Sequence, residues 1–291
     1  MDEDQHRMLV ETRVRRPEAI AEAATRRTRP KSLTGDNGKI MMIAADHPAR
    51  GALRAGDRPL AMADRGDLLD RITLALSRPG VNGILGTPDI LEDLLLLGAL
   101  EGKVVIGSMN RGGLAGTAFE MDDRFTGYDA DAIATAGFEG GKMLLRIDAE
   151  DPGTVATLQA CAQAVSDLAD HKLMAMVEPF ISHRVDGRVR NELTAEAMIR
   201  AMTVSAGLGR TSAYTWLKVP VVPEMERVMA ATTLPSLILG GEVSADPDAA
   251  FAAWRDALAL PTVLGLVVGR SLLYPPDDDV GSAVDTAVGL L

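Results

Sequence analysis

Lysine is scarce in this chain: six of its thirty basic residues are Lys, and one of these, Lys218, stands inside an apolar run, between Tyr214-Thr215-Trp216-Leu217 and Val219-Pro220-Val221-Val222. A lysine in such a run is poorly hydrated, which favours the neutral amine that a Schiff-base nucleophile requires. The same residue could instead snorkel to a rim or pair with a carboxylate. Lys142 comes early in Gly141-Lys142-Met143-Leu144-Leu145 and carries chemistry only if its side chain points inward; otherwise it is structural. Glu178 follows the apolar run Met174-Ala175-Met176-Val177. A partly buried carboxylate there would have a raised pKa and exchange protons near neutrality, or would pair with a strand-end lysine, and the two readings are compatible. Asp46 follows the unbroken apolar stretch 40–45 and reads as a reacting-site carboxylate or as a loop cap.

Metal chemistry has few candidate ligands. The four histidines, His6, His47, His171 and His183, include no pair spaced two or four residues apart, so no metal site is expected from them. His47 and His183 fall just after apolar runs, where each could touch a substrate; His183 reads equally as a solvated loop histidine. The single cysteine, Cys161, leaves no disulfide to form within the chain and reads as a small buried side chain on a helix, fitting a reducing cytoplasm. Gly240-Gly241 and Gly269-Arg270 end two successive runs. Glycine lets backbone N–H groups approach an anion and Arg adds a bidentate donor, so this pair is the candidate phosphate site.

The elements that must position these residues are legible as repeats. Apolar runs rich in Val, Ile, Leu and Met occupy residues 39–46, 81–86, 103–109, 141–147, 172–178, 213–219, 236–240 and 263–268, with helical periodicity between them. Near-continuous apolarity predicts strands covered on both faces. Eight βα units over about 250 residues predict an α/β fold, a (β/α)8 TIM barrel, with its chemistry at the C-terminal strand ends. The strand ends are Asp46-His47, Thr87, Ser108, Asp148, Glu178, Lys218, Gly240-Gly241 and Gly269-Arg270. Lys39, Lys103 and Lys172 open their strands and fall on the opposite, stability face. The glycine fingerprint of a dinucleotide site is missing after the first run, so no cofactor is expected. Residues 1–38 read as an N-terminal helical extension, helical over 13–29, that caps the barrel bottom or reaches a neighbouring subunit; the barrel is residues 39–291. A net charge of −11 argues against nucleic-acid binding, no apolar run is long enough to cross a membrane, and the acidic start is the wrong charge for a secretory signal. Leu94-Leu95-Leu96-Leu97 exceeds what one helix face buries, and a homo-oligomer contact is expected there.

Ala44-Ala45-Asp46-His47-Pro48-Ala49-Arg50-Gly51-Ala52-Leu53, Lys142-Met143-Leu144-Leu145, Val177-Glu178-Pro179 and Leu217-Lys218-Val219-Pro220, in this order, resemble class I aldolases of the deoxyribose-phosphate/tagatose-bisphosphate aldolase superfamily. Arg124-Phe125-Thr126-Gly127-Tyr128 is similar to the tagatose-bisphosphate branch. The resemblance implies that Lys218 forms the imine, Lys142 assists it, Glu178 shuttles protons and Asp46 contacts the reacting carbons. Lys142, if charged and nearby, would repel the charged form of Lys218. Arg50, Ser108, Arg111 and Arg270 would position hydroxyls and a phosphate. His47-Pro48-Ala49 lengthen the loop after Asp46 relative to that family and reshape the substrate site, and Val219-Pro220 follows Lys218 without the family's usual glutamate. The chain is also similar to an actinobacterial (β/α)8 group associated with myo-inositol catabolism, which implies a phosphorylated deoxy-keto-gluconate as substrate. The expected function is metal-independent cleavage of a phosphorylated keto sugar or keto sugar acid. A non-catalytic sugar-phosphate-binding barrel is the alternative, as is a Schiff-base lyase or transferase acting on a sulfonated or unphosphorylated sugar.

Overall fold

Eight parallel strands close on themselves. The computed structural model describes residues 1–244 and 246–291. Its barrel strands are β1 (Ile40–Ala44), β2 (Gly83–Gly86), β3 (Val104–Ser108), β4 (Gly140–Ile147), β5 (Met174–Val185), β7 (Thr215–Val219), β8 (Ser236–Leu239) and β9 (Val263–Val268). Each pairs in parallel with its neighbour, and the β9–β1 and β4–β5 ladders complete the ring. The (β/α)8 barrel read from the repeats is the fold observed.

Two layers of side chains share the strands. Ile40, Met42, Leu85, Val104, Ile106, Met174, Met176, Leu237 and Val267 fill the barrel interior. The alternate residues, among them Met41, Ile43, Val105, Ala175, Val177 and Val268, pack outward against the helices. This period-two division of strands that are apolar on both faces fixes everything above it. On each strand the inward series continues into the polar positions: Ile40, Met42 and Ala44 lead to Asp46, Val104 and Ile106 to Ser108, Met174 and Met176 to Glu178, and Trp216 to Lys218.

The helices are α3 (Arg65–Ser77), α4 (Pro88–Leu96), α5 (Ala130–Thr135), α6 (Gly153–Asp170), α7 (Ala195–Ala206), α8 (Met225–Met229), α9 (Pro247–Leu258), α10 (Arg270–Leu273) and α11 (Val280–Val288). Asp246 caps α9 by accepting from the Ala249 N–H, with Pro247 in the first turn. Cys161 is buried on α6. No helix among the described residues is long and apolar enough to cross a membrane.

The N-terminal segment differs from the expected single helix over 13–29. It forms α1 (Glu3–Arg15), opened by a capping box between Asp2 and Gln5, and α2 (Ala19–Arg26). Pro17 causes the break: it has no N–H to donate and disfavours helical geometry at Arg16, which adopts φ −148°. α2 packs on α4, and Leu94 and Leu95 are buried within this chain while Leu96 and Leu97 are half-buried. Arg27 is buried, donating to the carbonyls of Lys103 and Gly137 and pairing with Glu139, while Leu33 packs against the interior layer from below. The Lys39 and Lys103 ammonium groups donate to main-chain carbonyls at this same end, away from the site.

A second difference is the antiparallel hairpin formed by β5 and β6 (Arg188–Asn191). β5 continues well past Glu178, and Asp186 (φ 50°) and Gly187 (φ 72°) make a two-residue turn with both residues left-handed, the geometry that Asp-Gly favours.

Candidate active site

The inward ends of β1, β3, β4, β5 and β7 converge on one cavity of about 470 Å³ at the C-terminal mouth of the barrel. Glu178 is its centre. One carboxylate oxygen, Oε1, lies 3.1 Å from Lys218 Nζ, and the other, Oε2, pairs with Lys142 Nζ. Strand register explains the grouping: Ser108 is opposite Lys142, Leu144 is opposite Glu178, and Val177 is opposite Leu217, which sets Lys218 beside Glu178. Lys142 therefore points inward and is almost fully buried.

Asp46 completes the cluster. Its Oδ2 is 3.2 Å from Lys142 Nζ and 2.8 Å from Arg111 Nη2, and accepts from the Ser108 hydroxyl at 3.1 Å. Among the described residues its Oδ1 has no hydrogen bond, and His47 Nδ1 lies 3.9 Å from it. Oδ1 is thus the oxygen available to a substrate.

The electrostatics follow from burial opposed by these partners. Burial alone would raise the Asp46 carboxyl, but Arg111, Lys142, Lys218 and His47 together hold it well below the ordinary range. The raised pKa expected for Glu178 is not found. Burial acts in that direction, yet Lys142 and Lys218 outweigh it and hold Glu178 at about 2. Lys142 is lowered to about 8, first by burial and then by Arg111, against the pull of Asp46 and Glu178. Burial lowers His47 to about 3, so its imidazole is neutral.

The other expected site residues divide. His47, Arg50, Arg111, Gly240, Gly241, Gly269 and Arg270 line the cavity. Ser108 does not: it is fully buried behind Asp46, donates to it and accepts from Arg111 Nε at 3.0 Å, so it positions these two side chains rather than touching a substrate. His183 is exposed on the hairpin and 3.1 Å from Glu192, away from the cavity wall. Gly269 has a packing reason of its own, since a Cβ there would sit 2.3 Å from the Ala44 carbonyl oxygen. The stretch Arg124–Tyr128 lies outside the cavity, where the N–H groups of Thr126 and Gly127 donate to the Met109 carbonyl and buttress the end of β3.

Three features of the site escape the sequence reading. Arg146 follows Lys142 by four residues on the same face of β4 and pairs with Asp123 and Glu120; the even spacing of the two cations along one strand was the signal. Asn110, wholly buried, donates to the Leu144 carbonyl at 2.6 Å and accepts from the Leu144 N–H at 2.7 Å, holding β4 between Lys142 and Arg146. The hairpin contributes Val189, Arg190 and Asn191, and the Asp186-Gly187 dipeptide was its signal. Among the described residues no three of His, Cys, Asp and Glu group as metal ligands.

Known proteins share this architecture. Cgl0159 of Corynebacterium glutamicum superposes with a TM-score of 0.97 at 52% identity, over 100% of this chain and 97% of that one. A Schiff-base-forming fructose-1,6-bisphosphate aldolase superposes with a TM-score of 0.67 at 17% identity, over 93% of this chain and 99% of that one. An archaeal fructose-1,6-bisphosphate aldolase, captured with its catalytic lysine bound to the carbinolamine intermediate, gives 0.66 at 17% identity, over 93% and 98%. At this identity the aldolases share the fold. No curated protein matches the chain. Residues 38–288 match the Cgl0159-like family, and the chain belongs to that family.

Proposed function

We propose that the protein is a class I aldolase that cleaves a phosphorylated keto sugar or keto sugar acid through an imine on Lys218. The observation that carries this reading is the bridge Lys218–Glu178–Lys142–Asp46 at the barrel mouth. Lys218 and Lys142 share one carboxylate, but Lys142 is held by a second, Asp46, whereas Glu178 is the one partner of Lys218 among the described residues. Lys218 is therefore the amine with bonding capacity to spare.

The reaction needs that amine neutral. Lys218 adds to the ketone to give a carbinolamine, which loses water to leave a protonated imine; Glu178 passes the protons. The substrate hydroxyl beyond the scissile bond gives its proton to Asp46 Oδ1 as the carbon–carbon bond breaks. The bonding electrons enter the imine as an enamine and an aldehyde departs. Protonation of the enamine and hydrolysis of the imine release the ketone and restore the amine. Lys142, held as a cation below about pH 8, keeps both carboxylates ionised for these transfers.

The loops after β8 and β9, where Gly241, Gly269 and Arg270 line the cavity, are our candidate for the phosphate site, as barrels of this kind commonly bind phosphate there. Arg270 is positioned there by a contact with the Arg54 carbonyl at 3.3 Å. Arg270→Ala is expected to weaken phosphorylated substrate by about 1.5–3 kcal/mol, seen as a KM raised about 10- to 100-fold with kcat little changed. An unchanged KM would move the phosphate elsewhere. A phosphorylated deoxy-keto-gluconate, implied by the sequence resemblance to the inositol-catabolism group, is the substrate to assay first.

Borohydride trapping tests the mechanism. With dihydroxyacetone phosphate as the ketone and excess EDTA present, reduction should leave the peptide carrying Lys218 heavier by the ketone's mass less one oxygen, since water leaves on imine formation and two hydrogens are added on reduction. Abolition of cleavage by EDTA with recovery on adding a divalent ion, or no adduct during turnover, would overturn the imine reading. A second reading within the same mechanism makes Lys142 the nucleophile, favoured by its lowering to about 8; an adduct on Lys142 would decide for it.

A further inference from the structure

His47 lines the cavity with its hydrogen-bonding capacity unused. Its side chain is 22% exposed, yet Nδ1 is shut off from solvent, and among the described residues neither ring nitrogen makes a hydrogen bond. Nδ1 faces the ionised Asp46 carboxylate, 3.9 Å from Oδ1. Gly269 closes on the Cε1 corner, where a Cβ would come within 3.1 Å. The Nε2 edge is what remains open. The charges acting on the ring, those of Asp46, Arg270, Lys218 and Arg111, all belong to side chains that line the cavity.

The carboxylate fixes the tautomer. A neutral imidazole carries one N–H and one lone pair. A lone pair on Nδ1 would oppose the negative charge of Asp46, whereas an N–H there is attracted to it, so the proton sits on Nδ1 and Nε2 keeps the lone pair. Burial, with Arg270, Lys218 and Arg111, outweighs Asp46 and keeps a second proton off the ring. His47 thus offers the cavity an uncharged acceptor. A hydroxyl satisfies such an acceptor, while the oxygens of a phosphate or carboxylate are repelled by it.

We infer that His47 is a specificity-determining residue whose Nε2 accepts a hydrogen bond from a substrate hydroxyl lying between the phosphate at Arg270 and the carbon held by Asp46. The ring's neighbours set this place: Asp46 precedes His47 in the chain, and Gly269, which packs on the ring, precedes Arg270. In a ketose phosphate the hydroxyl is the one on the carbon next to the ketone, on the side away from the phosphate. The inference rests on the cavity being the substrate site with its phosphate end at Arg270, and not on imine formation.

Two phosphate esters without a ketone isolate the contact: glycerol 3-phosphate and propane-1,2-diol 1-phosphate, which differ in that hydroxyl alone. In calorimetric titration the intact protein should bind glycerol 3-phosphate about tenfold or more tightly. His47→Asn keeps a polar group beside Asp46 but does not reach the Nε2 position, and should erase the preference by weakening glycerol 3-phosphate alone. His47→Gln, whose amide oxygen reaches that position, should retain part of it. Nitrogen-15 NMR of the parent near neutral pH, with the His47 signals identified by their loss in His47→Asn, should find the proton on Nδ1 and an Nε2 resonance that moves with glycerol 3-phosphate and stays with the diol ester. A proton on Nε2, equal binding of the two esters, failure of both to bind, or a preference that survives in His47→Asn would overturn the assignment. Neither ester forms an imine, so trapping on Lys218 with dihydroxyacetone phosphate reports separately on the aldolase reading.

Discussion

Lys218→Arg should reduce cleavage by at least about 10³-fold and abolish the borohydride adduct while the protein remains folded, because Arg keeps the positive charge facing Glu178 and cannot lose its proton to become a nucleophile. The retained charge matters. Lys218→Ala would leave Glu178 with one cation fewer in a buried site, and a loss of activity could then be assigned to unfolding. Thermal melting and circular dichroism of the Arg variant should overlay those of the parent. A variant that still turns over at a tenth of the parental rate would show that the covalent step does not pass through this amine.

Glu178→Gln should lower kcat by about 10²–10³-fold, the usual worth of a general acid–base group, without displacing the adduct from Lys218. It should also move the pH profile in a direction that a merely structural role would not. Glu178 is one of two carboxylates that support the Lys142 ammonium, whose value in the parent is about 8. Removing that negative charge lowers Lys142 further, so the alkaline limb of kcat/KM should shift to lower pH. Stability should respond with matching sign. Between its lowered folded value and the ordinary 10.5, Lys142 binds fewer protons folded than unfolded, so the variant should become more stable as pH rises through that interval. An alkaline limb at the parental position would mean that Lys142 does not set it.

Lys142 shows where sequence reading stops. Gly141-Lys142-Met143-Leu144-Leu145 is apolar on both sides of the lysine, as expected for a strand covered on two faces, so no alternation marks its inner face. Inward and outward differ by one residue of register, and barrel closure makes that choice when Ser108 pairs with Lys142 and Leu144 with Glu178. The Glu178 pKa was unreadable for a related reason. Burial and charge act on it in opposite directions, and the sign depends on two lysines, 36 and 40 residues away in the chain, meeting one carboxylate. Ser108 likewise reads as a strand-end hydroxyl facing a substrate until Asp46 and Arg111 are seen to enclose it.

The sequence by itself determined the eight βα repeats, the barrel they close into, the stability-face lysines and the strand ends at which Asp46, Glu178 and Lys218 would be found, because these depend on periodicity and composition along the chain. Tertiary structure alone decided that Lys142 points inward, that Glu178 bridges two lysines as an ionised carboxylate and that α2 packs on the leucine-rich α4. Each of those outcomes is a contact between residues distant in sequence, fixed by strand register and burial rather than by any local preference.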